Sequence, residues 1–308
     1  MAVTIRVRIA FRIHKPKSLT RMNITGTTQV FFIIGDPVSQ VRAPEVYNHL
    51  FQRHGVDAVL VPMKVPVAQL TGFVRHALQA QNVGGLWVTI PHKGAMLSLV
   101  DRSEALAQMA GAVNAVRRNA DGSTDGALFD GLGFVKGLDR FGIAVSGQRV
   151  LVLGAGGGGH AVAAALLQRG AAWVAVHNRT RERAAELVAH LQGADVRAQG
   201  AKVQVAESAD PSGFDLIVNC TSQGLKPGDA MPVDVARIAP GSAVVDIIMS
   251  RQPTPLLQAC GERGITAHPG FEMLVQQIPE YLNFFGFAKI AQVLQEDLSE
   301  VRALLAPR

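Results

Sequence analysis

A glycine-rich turn constrains what this chain can fold into more than any other feature of its sequence. An apolar strand predicted over residues 148–153 runs directly into Gly154-Ala-Gly-Gly-Gly-Gly159, and an alanine-rich helix follows to about Gln168. Glycine allows the backbone to turn tightly and to approach a pyrophosphate, while the N-terminus of the following helix offers unpaired N–H groups to the anion. A G-x-G-x-x-G match is weak alone, but its place between a strand and a helix favours a dinucleotide-binding turn over a turn without a ligand.

The end of the next strand indicates which dinucleotide this turn binds. An NAD site usually places Asp or Glu there, where the carboxylate bonds the ribose 2′-OH. Here the predicted strand over residues 173–177 is followed by Asn178, Arg179, Thr180, Arg181 and Arg183. Arginine binds a 2′-phosphate through paired, charge-assisted hydrogen bonds, whereas a carboxylate would repel it. The sequence therefore predicts NADP, with NAD as the alternative cofactor and a solvated, basic helix start as the non-functional interpretation.

The spacing of apolar residues predicts an α/β fold with two domains. Strands are predicted at 29–34, 58–62, 85–90, 148–153, 173–177, 214–219 and 243–248, and amphipathic helices at 44–54, 67–79 and 181–192. Strands that alternate with helices form a parallel sheet covered on both faces. We expect a first α/β domain made of residues 23–130 and 271–308 and a Rossmann-type domain at 131–270. The mostly helical segment 275–305 is expected to cross back and pack on the first domain.

The net charge of +6 does not indicate a nucleic-acid partner, because it resides in one short segment. Residues 1–21 contain Arg6, Arg8, Arg12, Lys15, Lys17 and Arg21 and no acidic residue. We predict a basic, disordered extension over residues 1–22, with a targeting arm and an upstream-start artefact as alternatives. No apolar stretch has the length of a membrane span. Cys220 and Cys260 form no disulfide framework or zinc pattern, so we expect a cytoplasmic protein without a metal site.

Several short motifs outside the glycine turn carry a family resemblance. The most specific are Val88-Thr-Ile-Pro-His-Lys93, at the end of a predicted strand, and Met273-Leu-Val-Gln-Gln277. They occur with Gly35-Asp-Pro37, Gly111-Ala-Val-Asn114, Asp130-Gly-Leu-Gly133, Asn178-Arg-Thr180, Asn219-Cys-Thr-Ser222 and Thr254-Pro-Leu-Leu257. In their order and spacing, from residue 30 to about 290, these motifs resemble the shikimate/quinate dehydrogenase family. The resemblance implies an oxidoreductase with an N-terminal substrate-binding domain.

The same resemblance implies a role for individual residues. Lys93 and Asp130 fall on the family's catalytic Lys and Asp, and Thr89, Asn114 and Gln277 fall on substrate-contacting positions. The implied cofactor-binding residues are Gly154, Ala155, Gly156, Gly157, Gly158, Asn178, Arg179, Thr180, Arg183, Thr221, Ile247 and Gly270. The chemistry is consistent with these residue types, because a lysine can exchange the hydroxyl proton while a carboxylate orients it. A structural salt bridge across the domain cleft is the non-catalytic interpretation of the pair.

This sequence departs from the family where the family binds the polar groups of its substrate. Val41 and Ala43 stand at two serine positions of a carboxylate-binding loop, Trp87 stands at an asparagine, and Met249 stands at a tyrosine. We hypothesise that Arg42 takes over carboxylate binding as a bidentate fork, with Ser39 nearby, and an outward, solvated Arg42 is the alternative. We therefore expect a cyclic or small hydroxy acid related to shikimate or quinate, and a substrate that is less polar than shikimate.

Two other functions are compatible with the same residues. One is a quinate/shikimate dehydrogenase that uses NAD, and the other is a non-catalytic ligand sensor that kept the fold. Retention of both Lys93 and Asp130 favours the enzyme, since a sensor has no need for both. The expected partner is a small-molecule hydroxy acid, with no nucleic acid and no membrane, and the chain is expected to be a monomer or a homodimer.

Overall fold

The computed structural model describes residues 23–193, 200–226, 228–249 and 253–306. The predicted basic extension over residues 1–22 lies outside this part of the chain. The described residues form two six-stranded sheets, which correspond to the two halves of the predicted α/β architecture.

The first sheet has a parallel part and an antiparallel part. Its strands are β1 (Gln29–Gly35), β2 (Ala58–Lys64), β3 (Val83–Val88), β4 (Arg102–Ser103), β5 (Ala115–Arg118) and β6 (Thr124–Ala127), in the order β2-β1-β3-β5-β6-β4. The predicted parallel pairing is confirmed for β1, β2 and β3. Strand β5 then pairs antiparallel with both β3 and β6, which the sequence analysis did not predict. The β5–β6 connection is a tight turn with Gly122 at φ +86°, so this pair needs no crossover helix.

The second sheet is parallel in every pair of neighbouring strands. It contains β7 (Arg149–Leu153), β8 (Trp173–His177), β9 (Lys202–Val205), β10 (Leu216–Asn219), β11 (Ala243–Asp246) and β12 (Thr266–Pro269), in the order β12-β11-β10-β7-β8-β9. This is the doubly wound order of dinucleotide-binding domains, in which the chain direction across the sheet reverses beside the first strand. The reversal lies between β7 and β10, and ligands bind beyond the carboxyl ends of such strands.

The described helices cover both sheets. They are α1 (Ala43–Arg53), α2 (Leu70–Ala77), α3 (Lys93–Met96), α4 (Ala105–Ala110), α5 (Asp130–Arg140), α6 (Gly157–Gln168), α7 (Arg181–Gly193), α8 (Pro255–Glu262), α9 (Glu272–Gln276), α10 (Ile278–Phe284), α11 (Ala288–Glu296) and α12 (Ser299–Leu305). The predicted helix at 67–79 begins as a 3₁₀ turn before α2, and α3, α4, α5 and α8 were not predicted. Within the described ranges, no helix is both long and apolar enough to cross a bilayer.

The C-terminal helices return to the first sheet, as the sequence predicted. An apolar cluster joins Phe31 and Trp87 of the first sheet to Tyr281 and Phe285 near the end of the chain. The helical spacing of Val46, Tyr47, Leu50 and Phe51 directs one face of α1 into the same cluster. Residues from the two ends of the chain therefore enclose one side of the first domain.

Candidate active site

Lys93 is held at the junction between β3 and α3. It is the first residue of α3, and its carbonyl accepts a hydrogen bond of 2.9 Å from the amide of Val113. The preceding residue, His92, is buried, and its Nε2 lies 2.7 Å from the carbonyl oxygen of Val65. His92 anchors the loop that carries the lysine, a role that its place in the sequence did not reveal.

Asp130 is the first residue of α5, and two glycines bring this helix close to its neighbours. A Cβ atom on Gly131 would lie 2.3 Å from the carbonyl oxygen of Ala161 in α6. A Cβ atom on Gly133 would lie 2.3 Å from the carbonyl oxygen of Met273 in α9. Any larger residue would push α5 away from α6 or from α9. The Asp-Gly-Leu-Gly motif thus fixes the position of the Asp130 carboxylate.

The two predicted catalytic side chains form a direct pair. Lys93 Nζ donates a hydrogen bond of 2.5 Å to Asp130 Oδ2, and the two side chains are 17% and 8% exposed. A charge-assisted hydrogen bond of this kind is stronger in a partly buried site than in water. The ammonium group keeps two further N–H donors beyond the one that the carboxylate accepts.

The pair opens into a cavity of about 300 Å³. Its lining consists of Ile33, Gln40, Val41, Arg42, Ala43, Val46, Tyr47, Trp87, Val88, Thr89, Lys93, Asp130, Met249, Leu274, Gln277, Ile278, Tyr281 and Leu305. Four predicted substrate-binding residues, Thr89, Arg42, Met249 and Gln277, are therefore brought together with the predicted catalytic pair. Ser39 is exposed and does not line this cavity.

Asn114 and Gln277 carry polar atoms that are buried without a partner. Asn114 is fully buried, and its Oδ1 accepts a hydrogen bond of 2.9 Å from the amide of Phe129, the residue before Asp130. Among the described residues, Asn114 Nδ2 and Gln277 Oε1 have no hydrogen-bond partner. Buried polar atoms cost free energy unless they are paired. Gln277 lines the cavity, so its Oε1 is a candidate to bind a polar group of a ligand, whereas Asn114, a predicted substrate-contacting residue, does not line the cavity.

An aromatic wall, formed by Trp87, Tyr281, Phe285 and Tyr47, lies beside the cavity. Trp87 stacks on Tyr281 with 5.6 Å between ring centroids and on Phe285 with 4.0 Å, and the ring of Tyr47 meets it edge-on at 4.9 Å. Burial raises the pKa of Tyr47 and of Tyr281 above the ordinary tyrosine value, so both phenols stay neutral. Sequence analysis missed both tyrosines, although Tyr281 follows Gln277 by one helical turn, a spacing that could have identified it.

Arg42 lines the cavity but is bonded to the C-terminal helix. Its two terminal nitrogens donate to the carbonyl oxygens of Leu304, Leu305 and Ala306, at 2.5, 3.0 and 3.0 Å. One of them also pairs with Glu45 at 3.2 Å. The Arg42 side chain is 25% exposed, so it is neither the solvated arginine nor the free bidentate fork of the sequence analysis. A cation near the last carbonyls of a helix is stabilising, because those oxygens lack partners inside the helix.

The glycine turn has the geometry that its sequence predicts. Gly154 has φ +101°, and a Cβ atom there would lie 2.9 Å from the carbonyl oxygen of Cys220. A Cβ atom on Gly159 would lie 2.0 Å from the carbonyl oxygen of Gly154, so only glycine allows the helix to begin this close to the strand. A Cβ atom on Gly156 would meet no atom within 4 Å, which leaves one face of the turn open.

The other predicted cofactor residues surround this turn. The amide of Ala155 donates to Asn178 Oδ1 at 3.1 Å. Ile247 lies between two glycines, because a Cβ on Gly158 would be 2.9 Å from its Cδ1 and a Cβ on Gly270 would be 2.7 Å from its Cα. The predicted residues Ala155, Gly158, Asn178, Ile247 and Gly270 thus form one contiguous surface.

Thr221 and Ile247 are held by a buried polar network at the carboxyl ends of β10 and β11. Asn219 accepts a hydrogen bond of 2.7 Å from the hydroxyl of Thr221 and donates one of 3.0 Å to Asp246 Oδ1. The hydroxyl of Thr254 donates to Asp246 Oδ2 at 2.6 Å. Burial raises the pKa of the fully buried Asp246, while these hydrogen bonds oppose the shift. The network fixes the loop beside the point at which the strand order reverses.

The basic segment after β8 contains one paired arginine and two unpaired ones. Arg181 forms an ion pair of 2.7 Å with Glu207. Arg179 and Arg183 are exposed, and neither side chain makes a hydrogen bond or an ion pair within the described residues. The carbonyl oxygen of Thr180 accepts a hydrogen bond of 2.8 Å from Asn178 Nδ2, which stabilises the loop. Arg179 and Arg183 are therefore free to bind an anion.

The fold and site together define a class of protein. A doubly wound sheet with a phosphate-binding turn lies beside an α/β domain whose Lys–Asp pair opens into a small cavity, and this arrangement defines a two-domain, dinucleotide-binding oxidoreductase. The family model described as the shikimate dehydrogenase substrate binding domain matches residues 33–116. The model described as shikimate / quinate 5-dehydrogenase matches residues 137–224.

Individual relatives agree with this match. The shikimate dehydrogenase (NADP(+)) of Rubrobacter xylanophilus is 39% identical over 256 residues, which cover 82% of this chain and 89% of that protein. The crystal structure of shikimate dehydrogenase from Aquifex aeolicus has 30% identity and a TM-score of 0.76, and the match covers 89% of this chain and 100% of that one. The Thermus thermophilus shikimate 5-dehydrogenase, solved in complex with NADP(H) and shikimate, has 27% identity and a TM-score of 0.73, covering 86% and 99%. The chain belongs to the shikimate dehydrogenase family.

Proposed function

We propose that this protein is an NADP-dependent dehydrogenase that transfers a hydride reversibly between the nicotinamide and a secondary alcohol or ketone of shikimate or a related hydroxy acid. The observation that carries this proposal is the buried pair of Lys93 and Asp130, which faces the glycine turn of the second domain. Relatives named as NADP-dependent shikimate dehydrogenases support it.

The residues around the glycine turn fit a dinucleotide phosphate. The open face at Gly156 gives a pyrophosphate access to the backbone at the start of α6. Arg179 and Arg183 would bind the 2′-phosphate, and Asn178 and Thr180 would hold the loop that presents them. Thr221 and Ile247 would contact the cofactor, because they lie against the turn at Gly154 and Gly158, and Gly270 packs on Ile247. When bound, the nicotinamide accepts or returns the hydride.

Lys93 provides the proton that balances the hydride. In the oxidising direction, its neutral Nζ accepts the hydroxyl proton while the carbon gives up the hydride. In the reducing direction, the ammonium returns that proton to the former carbonyl oxygen. Asp130 accepts one N–H of Nζ, which leaves the other two N–H groups of the ammonium, or one N–H and the lone pair of the neutral amine, for the substrate oxygen. The aromatic wall and the apolar lining restrict the access of water to this exchange.

The same assignment gives each domain one binding role. We assign substrate binding to residues 23–130 with the C-terminal helices from 271 onward, and dinucleotide binding to residues 131–270. A cytoplasmic location remains a prediction, supported by the two free cysteines, Cys220 and Cys260.

Initial rates test the proposal. Purified protein is mixed with shikimate or quinate and either NADP⁺ or NAD⁺, and the absorbance of the reduced cofactor is followed. We expect turnover with NADP⁺ to exceed turnover with NAD⁺. Lys93→Ala should lower kcat by about 10²–10⁴-fold, the range of a lost acid–base catalyst. Lys64→Ala, which removes an exposed lysine 3.6 Å from Asp36, should leave kcat unchanged.

Three outcomes would contradict parts of the proposal. Near-full turnover by Lys93→Ala would refute its role as the acid–base group. Equal or faster turnover with NAD⁺ would support the NAD-dependent alternative. Ligand binding without any cofactor reduction across a panel of ring alcohols would support the non-catalytic sensor.

A further inference from the structure

The residues at the family's two serine positions leave the start of α1 without a hydroxyl group. Val41 and Ala43 both line the cavity, and neither can donate a hydrogen bond from its side chain. The terminal nitrogens of Arg42, which lies between them, are bonded to carbonyl oxygens of the C-terminal residues and to Glu45. A carboxylate that enters this part of the cavity therefore finds its donors elsewhere in the lining.

Tyr47 lies on the same face of α1 as Ala43, one helical turn further along. Side chains of a helix lean toward its N-terminus, so the long side chain of Tyr47 reaches over the turn that Ala43 occupies. Tyr47 lines the cavity although it is only 3% exposed. Its ring packs edge-on against Trp87 and Tyr281, with 4.9 and 6.0 Å between ring centroids. These contacts fix the ring beside the space that the small Ala43 leaves.

The hydroxyl of Tyr47 is free to donate a hydrogen bond into the cavity. It makes no hydrogen bond within the described residues, and it is not one of their fully buried polar atoms that lack a partner. Since the rest of the side chain is enclosed, the hydroxyl is the part that reaches the cavity. Burial raises the pKa of this phenol above the ordinary tyrosine value, so it stays protonated and remains a donor.

The indole N–H of Trp87 supports this direction of donation. Trp87 Nε1 is buried and has no hydrogen-bond partner among the residues that the structure describes. The indole nevertheless acts on the phenol of Tyr47, because it opposes the rise in pKa that burial causes there. Its N–H therefore lies near the phenol oxygen, although the two groups do not reach ordinary hydrogen-bond geometry. An N–H directed at the phenol oxygen leaves the phenol O–H to donate to a ligand.

The charges of the lining favour an anion as the acceptor. The charged side chains that line the cavity are Arg42, Lys93 and Asp130, one more cation than anion. Glu45, which pairs with Arg42, is 47% exposed and lies outside the lining. Thr89 adds a second hydroxyl donor to the lining. A carboxylate also accepts stronger hydrogen bonds from such neutral donors than an uncharged group does.

We propose that Tyr47 determines substrate specificity by donating a hydrogen bond from its hydroxyl to the carboxylate of the substrate, in place of the serines that this chain lacks. The substrate hydroxyl that reacts lies at Lys93 and Asp130, and the carboxylate lies beside Ala43 and Tyr47. This inference rests on the proposed function, and it assigns recognition of the acid group to one residue. Tyr47 acts on binding and takes no part in the transfer of the hydride or the proton.

Tyr47→Phe tests the proposal, because it removes one oxygen atom and keeps the ring that packs against Trp87. Shikimate, quinate and their methyl esters are titrated by calorimetry with NADPH present, a reduced cofactor that cannot oxidise them. We expect Tyr47→Phe to weaken binding of each acid by about tenfold or more and of each ester by about threefold or less, since hydrogen bonds to charged groups are the stronger ones. Equal losses for acids and esters, or no loss for the acids, would overturn the inference.

A hydroxyl returned to the start of α1 should compensate for the lost phenol. Ala43→Ser, added to Tyr47→Phe, restores a donor on the same helix face and should recover at least about threefold of the lost affinity for the acids. Ala43→Cys in the same background is the matched control, because cysteine has nearly the same shape and only a weak donor. If the serine recovers no more affinity than the cysteine, a donor at this position does not hold the carboxylate, and the inference fails.

Kinetics separate this inference from the proposed function and from a structural defect. If the original protein oxidises neither shikimate nor quinate, the proposed function fails, and the dissociation constants still decide the role of Tyr47. With turnover, Tyr47→Phe should raise KM for the acids by about tenfold or more and keep kcat within about threefold, which is the signature of lost binding. A fall in kcat together with the midpoint of thermal unfolding would show a structural role instead. Absence of measurable binding of both acids to the original protein would also overturn the inference.

Discussion

Lys93 in the first domain lies against Gly157 in the second, because a Cβ atom on Gly157 would be 3.9 Å from Lys93 Cδ. The lysine begins α3 and the glycine begins α6, so the two helix starts face each other across the domain boundary. This contact places the proposed acid–base side chain at the glycine turn. The proposed catalytic pair and the proposed cofactor site are consequently parts of one cleft.

Two glycines of the turn should respond differently to alanine. Gly159→Ala should destabilise the protein by about 1–3 kcal/mol, because its Cβ would overlap the carbonyl oxygen of Gly154 at 2.0 Å. Gly156→Ala should leave the midpoint of thermal unfolding unchanged, since its Cβ meets no atom within 4 Å. It should nevertheless weaken NADPH binding by about tenfold or more, because the methyl group occupies the face that a pyrophosphate approaches. Thermal unfolding and a fluorescence titration with NADPH measure the two effects. Equal losses of stability in both variants would contradict this interpretation of the turn.

The arginines after β8 should set the preference for NADP. The double change of Arg179→Ala and Arg183→Ala should raise KM for NADP⁺ by about tenfold or more, since each charge-assisted hydrogen bond contributes about 1.5–3 kcal/mol. KM for NAD⁺ should stay within about twofold, because NAD⁺ has no 2′-phosphate. Arg181→Ala is the matched control, because Arg181 is paired with Glu207. If Arg181→Ala raised KM for NADP⁺ as much as the double change, the assignment would be wrong.

Arg42 should act on the C-terminal helix rather than on the charge of the substrate. Arg42→Ala should lower the free energy of unfolding by about 2–3 kcal/mol, because three carbonyl oxygens of residues 304–306 lose a charged donor. Amide hydrogen exchange of α12 should become faster. Arg53→Ala removes a 58% exposed arginine that pairs with Glu300 and should cost about 0–1 kcal/mol. A rise in KM for acids but not for their esters in Arg42→Ala would instead support direct carboxylate binding.

Glu272 should contribute stability that is lost in acid. Burial alone would raise its pKa, but hydrogen bonds from Arg302 and Gln276 and the charge of Arg140 outweigh burial and lower it. A carboxyl group with a lowered folded-state pKa contributes its full stability above its ordinary pKa of 4.5 and loses it as the pH falls through the folded value. Glu272→Gln should therefore cost about 2 kcal/mol at neutral pH, and the difference should shrink below the ordinary pKa.

Urea unfolding of Glu272→Gln at pH 7 and at pH 4 measures this dependence. Asp139→Asn is the control, because Asp139 is 49% exposed in its pair with Arg169 and should change stability by less than about 1 kcal/mol. A difference between Glu272→Gln and the original protein that stayed constant over this pH range would contradict the assignment.

Local sequence patterns were sufficient for much of the fold and for the cofactor turn. The glycine turn and the strand before Lys93 were predictable from residue types a few positions apart, whereas the roles predicted for Lys93 and Asp130 came from the family resemblance. The hairpin of β5 and β6 was not predicted, because the two strands span only four residues each and lack a long apolar alternation.

What the sequence determined by itself is the set of backbone conformations and chemical groups available to the protein. Only glycine fits at residues 154 and 159, and a lysine and a carboxylate are present for proton transfer. The tertiary structure alone decided which of these groups remain free. Arg42 is bonded to carbonyl oxygens at the far end of the chain, while Gln277 Oε1 has no partner among the residues that the structure describes. Hydrogen bonds between residues so distant in sequence depend on how whole helices pack, and no local pattern specifies that packing.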